Sequence, residues 1–195
     1  MEKDILLNLF KSKSTVFSFK EILLATSISA SLLKRRLHYY IKNGQLYSIR
    51  RGLYARDNNY DRRELATKIF TPAYISFETV LVEAGALFQY YATIFVATYQ
   101  TKDMVFDGQN YSFRKLKDTL LVNTMGIENK ETYFIASPER AYLDLLYLNK
   151  DYYIDNLSVL DFKKIFSMLS IYDNDRMEKI VQLHYKRFQQ EEGEL

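Results

Sequence analysis

Residues 29–54 read SASLLKRRLHYYIKNGQLYSIRRGLY, and the spacing of the apolar residues changes at Gly44. Before this glycine, apolar residues recur at helical spacing and predict one inward-facing side of a helix: Leu33, Leu37, Tyr40 and Ile41. After it, the helical spacing gives way to a strand-like pattern in which Leu46, Ile49, Leu53 and Tyr54 are separated by Tyr47-Ser48 and by Arg50-Arg51-Gly52, and this predicts a small β-hairpin with Gly52 at its bend. A helix followed by a hairpin is the end of a winged helix-turn-helix.

The opposite face of the predicted helix carries cations and hydrogen-bonding side chains: Ser31, Lys34, Arg35, His38 and Lys42. Arg35 has the paired donors that match guanine, and we expect Ser31 and His38 to contact base edges as well. Three basic residues are expected to neutralise phosphates, namely Lys34, Arg36 and Lys42. A surface helix can be basic without binding nucleic acid, but here the basic face coincides with helix-turn-helix spacing and a basic hairpin. Together these features favour DNA.

The sequence on either side predicts the rest of this unit. Apolar residues at helical spacing predict a first helix over residues 3–11, and Ser18 with Glu21 forms a capping box for a second helix that ends near residue 25. Arg50 and Arg51 lie at the tip of the predicted hairpin. We expect this pair to contact the minor groove or the adjacent phosphates, because arginine is favoured where the groove narrows.

The net charge of +3 is unevenly distributed along the chain. Residues 1–63 carry 13 Lys or Arg and 5 acidic residues, a net charge of +8, which leaves −5 for residues 64–195. Such asymmetry suggests one module for a polyanion and a second module with another task. We therefore expect a DNA-binding domain over residues 1–60 and a second domain over residues 61–195.

The second part of the chain predicts a sheet flanked by helices. Runs of β-branched and aromatic residues predict strands over residues 93–99, 104–106, 111–116, 119–122 and 132–136, with Asp107-Gly108 as a hairpin turn. Caps and helical spacing predict helices over residues 61–70, 76–85, 137–148, 161–169 and 174–189. The expected fold class is α+β, a winged helix followed by a mixed, mostly antiparallel sheet with flanking helices.

Little in the sequence favours catalysis, a metal or a cofactor. The chain has no cysteine, and its two histidines, His38 and His184, are far apart in sequence. An alternative is a metal-dependent enzyme that uses Asp173, Asp175, Glu139 or Asp144, although helix caps and surface acids account for these residues more simply. No apolar run approaches the roughly 20 residues of a membrane span, and the N-terminus lacks a signal-peptide pattern. We expect a cytoplasmic protein that is not an enzyme.

Three motifs, in this order, resemble the AbiEi antitoxin family of type IV abortive-infection toxin–antitoxin systems. They are RRGLY at 50–54, PAYISFETVL at 72–81 followed by Gly85, and IASPERAYLDLL at 135–146. The resemblance covers nearly the whole chain and departs from the family at Arg140, where lysine is frequent. Ser76 and Glu139 are motif positions whose role the sequence does not reveal.

The resemblance implies a winged helix that represses its own operon at an operator with inverted repeats. It also implies a C-terminal domain that counteracts a nucleotidyltransferase toxin without a stable complex, as part of phage defence. A stand-alone winged-helix regulator, whose second domain senses a ligand or a partner, is the alternative. The gene next to this one would distinguish the two, because only the antitoxin requires a toxin partner.

Overall fold

The computed structural model describes residues 9–193, and its fold is α+β, as predicted. A three-stranded sheet forms near the start of this range and a six-stranded sheet follows it. Most of the predicted first helix over residues 3–11 lies outside the described residues, of which 9–11 are helical.

After the helical residues 9–11, the described part of the first unit contains two helices and three strands: β1 (Val16–Ser18), α1 (Phe19–Leu24), α2 (Ala30–Lys42), β2 (Tyr47–Arg50) and β3 (Leu53–Ala55). The predicted capping box begins α1, since Ser18 Oγ accepts from the Glu21 N–H at 3.1 Å while the Glu21 carboxylate accepts from the Ser18 N–H at 2.6 Å. Ser29 caps α2, and Gly44, at φ 66°, ends it. α1, α2 and the hairpin β2–β3 lie where the sequence predicts them, and their assignment as a winged helix stays a prediction.

The second part contains the helices α3 (Arg62–Ile69), α4 (Glu78–Glu83), α5 (Asp118–Leu121), α6 (Pro138–Leu148), α7 (Phe162–Leu169) and α8 (Asp175–Gly193). Its strands are β4 (Ala73–Ile75), β5 (Ile94–Thr98), β6 (Lys102–Phe106), β7 (Gln109–Lys115), β8 (Ile127–Asn129) and β9 (Phe134–Ala136). The strand order is β6-β7-β5-β4-β9-β8. The pairs β4–β9 and β5–β7 are parallel and the other three are antiparallel, so the sheet is mixed and mostly antiparallel, as expected.

Four segments differ from their predictions. Residues 119–122, predicted as a strand, contribute to the short helix α5, whose Leu120 and Leu121 are both buried. A short apolar run cannot be assigned from its periodicity alone, because a buried strand and a buried helical turn look the same. β1, β4 and β8 were not predicted, since three residues are too few to establish an alternating pattern.

A hydrophobic cluster spans the boundary predicted at residues 60 and 61. Its members are Val16, Leu53 and Ala55 from the first sheet, Tyr60, Leu65 and Ala66 at and after the boundary, and Ala73, Val96, Tyr111 and Phe113 from the second sheet. The domain boundary itself stays a prediction. The two parts nevertheless share apolar packing and are not separated by a free linker.

Polar contacts reinforce this packing at two places. Glu64 of α3 is fully buried and accepts hydrogen bonds from the N–H and the hydroxyl of Thr15, both at 2.7 Å. Asp107, at the turn between β6 and β7, accepts from Tyr60 at 2.6 Å and from Tyr47 of β2 at 3.1 Å. The hydrogen bond from the Tyr60 hydroxyl is the largest cause of a lowered pKa at Asp107, and the bond from Tyr47 lowers it further. These contacts hold the hairpin β2–β3 in one orientation relative to the six-stranded sheet.

Candidate nucleic-acid interface

The polar face of α2 is exposed over its whole length, as predicted. Leu33, Leu37 and Tyr40 are buried, and the exposed side chains opposite them are Ser31, Lys34, Arg35, His38 and Lys42. Arg36 lies at the edge of this face and is half-buried. The cations of the exposed face form no ion pair with any residue in the range 9–193, so their charge is available to a ligand outside the chain.

A lysine that the sequence reasoning missed extends this surface. Gly52, in the turn of the hairpin, accepts a hydrogen bond from the Phe19 N–H at 2.8 Å. The Lys34 ammonium of α2 lies 5.9 Å from the centroid of the Phe19 ring. Lys20 and Arg51 are both exposed, and they are the sequence neighbours of Phe19 and Gly52 at this junction. No local signal indicates this, because the junction depends on the pairing of β1 with β3.

The two arginines predicted at the hairpin tip have different surroundings. Arg51 is exposed. Arg50 is half-buried, and its guanidinium lies 5.5 Å from the centroid of the Phe106 ring in β6. Its Nη1 atom is buried and has no hydrogen-bond partner among the described residues. Arg50 thus packs towards the six-stranded sheet, and its predicted contact with DNA has less support than that of Arg51.

Asp144, one of the acids considered for a metal site, is the centre of a buried network. Its carboxylate is fully buried and accepts from Tyr172 at 2.7 Å, Ser76 at 2.8 Å, Tyr74 at 2.9 Å and the Arg140 Nε at 3.2 Å. Burial is the largest effect and raises the pKa of Asp144 above its usual value. The Arg140 guanidinium and the three hydroxyl donors oppose this rise, because they stabilise the charged carboxylate. Because four donors already surround the carboxylate, the arrangement is suited to holding elements together.

Arg140 extends the same network to α5 and to the loop that follows it. Its Nη atoms donate to the carbonyl oxygens of Leu120 at 2.7 Å and of Met125 at 3.0 Å, and the side chain is fully buried. Ser76, a motif position of unknown role, belongs to this network through its bond to Asp144. A buried ion pair of this kind requires all of its hydrogen bonds to be made, because an unpaired buried charge is costly.

The remaining candidate acids do not converge on one place. Glu139, the second motif position, is buried and accepts from the Asp161 N–H at 3.4 Å, while the Lys164 ammonium lies 4.0 Å from its Oε1 atom. Asp173 and Asp175 lie at the start of α8. Within residues 9–193, no group of three or more His, Asp or Glu side chains is placed to hold a metal ion. The metal-dependent alternative therefore gains no support from this part of the chain.

His184 packs inside the second part. Its Nδ1 atom lies 2.8 Å from the Tyr142 hydroxyl oxygen, and burial lowers its pKa.

Among the described residues, no helix is both long and apolar enough to cross a membrane.

No protein-family model matches the chain, and no curated protein matches it either. The resemblance to the AbiEi antitoxin family therefore rests on the quoted motifs and stays a prediction. The motif positions Ser76 and Glu139 are both buried and hydrogen-bonded within the fold. Their chemistry is that of residues that maintain a fold, so a functional role for the second part must be sought on its surface.

Proposed function

We propose that the protein binds double-stranded DNA through α2 and the β2–β3 turn, represses its own operon, and catalyses no reaction. The observation that carries the proposal is a set of exposed cations on α2 and beside the contact between Phe19 and Gly52: Lys20, Lys34, Arg35, Lys42 and Arg51. Duplex DNA carries a dense row of negative charges, and proteins that neutralise its phosphates gain affinity by releasing condensed counterions.

The roles within this surface follow from side-chain chemistry. The major groove of B-DNA is about 12 Å wide and admits one α-helix. The 13-residue α2 would lie in it with its exposed face inward. Arg35 would bind guanine with two hydrogen bonds, and Ser31 and His38 would contact neighbouring base edges. The ammonium groups of Lys34 and Lys42 would lie at the phosphates on either side. Lys20 and Arg51 would contact the backbone beside the groove.

The test is a binding titration of the full chain against labelled duplex taken from upstream of its own reading frame. Anisotropy at several salt concentrations should show that log K falls linearly with log salt, by about 0.9 for each phosphate neutralised. Arg35→Ala should cost about 1–3 kcal/mol on this duplex and relax sequence preference, whereas Lys42→Ala should weaken binding to all duplexes alike. A salt-independent affinity would contradict the proposal.

Lys163→Ala is the matched control, since it removes an equally exposed lysine from α7, far along the chain from α2. We expect its affinity and its salt dependence to equal those of the wild type. An equal loss in Lys42→Ala and Lys163→Ala would mean that net charge drives the binding, and that α2 has no special part in it.

The proposal also includes an antitoxin role in the cytoplasm, counteracting a nucleotidyltransferase toxin without a stable complex. Its support is the motif resemblance. Co-expression with the product of the adjacent gene, scored by colony growth, tests this role. If that product is not toxic, the alternative of a stand-alone regulator with a sensing second domain is favoured instead.

A further inference from the structure

Two loops of the second part meet at the surface and hold one another in place. The loop over residues 86–92 follows α4, and the loop over residues 149–155 follows α6. The N–H groups of Asp155 and Asn156 both donate to the Ala86 carbonyl oxygen at 3.1 Å, and the Phe88 N–H donates to the Asp155 carboxylate at 2.8 Å. The surface made by these loops is therefore preformed, so binding to it would require little additional ordering.

This surface exposes an unusual number of aromatic rings. Phe88 is 72% exposed, Tyr90 is 81% exposed and Tyr153 is 69% exposed. The half-buried side chains of Tyr91 and Tyr152 lie between the loops, with their hydroxyl oxygens 3.4 Å apart. The cleft between the loops has a volume of about 430 Å³. Clustered exposed aromatic residues mark interaction sites, because a soluble protein otherwise gains nothing from leaving them in water.

The charged side chains that line the cleft are carboxylates, and exposed Lys150 lies beside them in the sequence. Asp151 and Asp155 both line it. Asp151 is exposed and forms no hydrogen bond or ion pair within residues 9–193, and Asp155 uses a single oxygen to accept from the Phe88 N–H. One ring already has a cation beside it, since the Arg187 guanidinium lies 4.7 Å from the centroid of Tyr153. Aromatic faces beside carboxylates attract guanidinium and ammonium groups.

We propose that this surface, formed by residues 86–92 and 149–155, binds a segment of a partner protein that carries arginine or lysine. The carboxylates disfavour nucleic acid and anionic lipid as occupants, because both would bring phosphates to an acidic cleft. The open shape and the spread of the rings over two loops fit a polypeptide segment better than a small cation. The net charge of −5 over residues 64–195 favours a basic partner in addition.

The test is an NMR titration of the full chain, labelled with nitrogen-15, with a peptide of alternating arginine and glycine. A peptide of alternating glutamate and glycine is the matched control. The cationic peptide should shift the amide signals of both loops, and the acidic peptide should not. In the double variant Phe88→Ala/Asp151→Asn we expect the dissociation constant to rise about tenfold or more, because one ring face and one unpaired carboxylate are lost.

The double variant Tyr99→Ala/Asp118→Asn, which changes an exposed tyrosine and an exposed acid elsewhere, should bind the peptide like the wild type. Unchanged signals away from the substituted positions will show that both variants are folded. Equal peptide affinity in all three proteins, or shifts spread over the whole surface, would overturn the proposal. Self-association of the wild type that Phe88→Ala/Asp151→Asn abolishes would overturn it too, since a second copy would then be the occupant. No DNA enters the experiment, so its failure leaves the DNA-binding proposal untouched.

Discussion

Replacing Asp144 with asparagine tests how strongly the buried network holds the second part of the chain together. The change keeps the size of the side chain but removes the carboxylate that is paired with Arg140, and both residues are fully buried. Removing one member of a buried ion pair costs about 3–5 kcal/mol, because the other charge stays buried without compensation. Ser76→Ala removes one of four donors to the same carboxylate, and we expect it to cost about 1–2 kcal/mol.

Urea unfolding near neutral pH, followed by circular dichroism because the chain has no tryptophan, measures both effects. The midpoints should fall in the order wild type, Ser76→Ala, Asp144→Asn, with similar slopes. The double variant Arg140→Met/Asp144→Leu should lose less stability than the sum of its single changes, because neither charge is left alone. A loss below about 1 kcal/mol in Asp144→Asn would refute the reasoning, since it would mean that the carbonyl oxygens around Arg140 satisfy its charge without the carboxylate.

Gly126→Ala should destabilise the protein by about 1–3 kcal/mol more than Gly108→Ala in the same assay. Both glycines have φ near +75°, but a Cβ at 126 would lie 2.7 Å from a methionine sulfur in α7, whereas at 108 it meets nothing within 4 Å. Asp107→Asn should cost about 1–2 kcal/mol near neutral pH. Because the pKa of Asp107 is lowered in the folded protein, its carboxylate stabilises the fold fully only above the usual pKa of 3.8. The difference in unfolding free energy between wild type and Asp107→Asn should therefore shrink as the pH falls through the lowered pKa. The double variant Arg35→Ala/Arg51→Ala should abolish repression of a reporter gene. Expressed from a foreign promoter, it should still rescue growth in the co-expression assay. Loss of both activities would contradict the idea that repression and growth rescue use different surfaces of the protein.

Local chemistry made much of the fold predictable. Ser18 and Ser29 begin helices because their side chains accept from free N–H groups of the first turn. Gly44 ends α2, and Gly52 forms the hairpin turn, each with a positive φ that glycine adopts without strain. Signals of this kind are contained within a few residues, so the sequence predicts them without knowledge of the rest of the chain.

Contacts between distant segments could not be predicted in this way. β1 is three residues long, and it pairs with β3 so that Val16 lies opposite Ala55. Arg50 and Arg51 are the same residue type, and the sequence does not show that the guanidinium of Arg50 lies beside the Phe106 ring of β6 while Arg51 is exposed. Arg140 lies four residues before Asp144 on the same helix, but the donors Tyr74, Ser76 and Tyr172 come from distant segments, and no spacing along the chain encodes their meeting.

The shared packing between the two sheets decides how their functions can be separated. A chain cut after residue 60 would lose Glu64, which accepts two hydrogen bonds from Thr15, and would expose the apolar side chains of β1 and β3 that pack against the second sheet. Loss of DNA binding in such a fragment would therefore report unfolding as readily as a missing contact. Substitutions on the exposed face of α2 leave this packing intact, so they isolate the DNA-binding surface where a truncation cannot. If residues 1–60 alone unfolded cooperatively and bound the operator with full affinity, the shared cluster would be dispensable and the two parts would be independent domains.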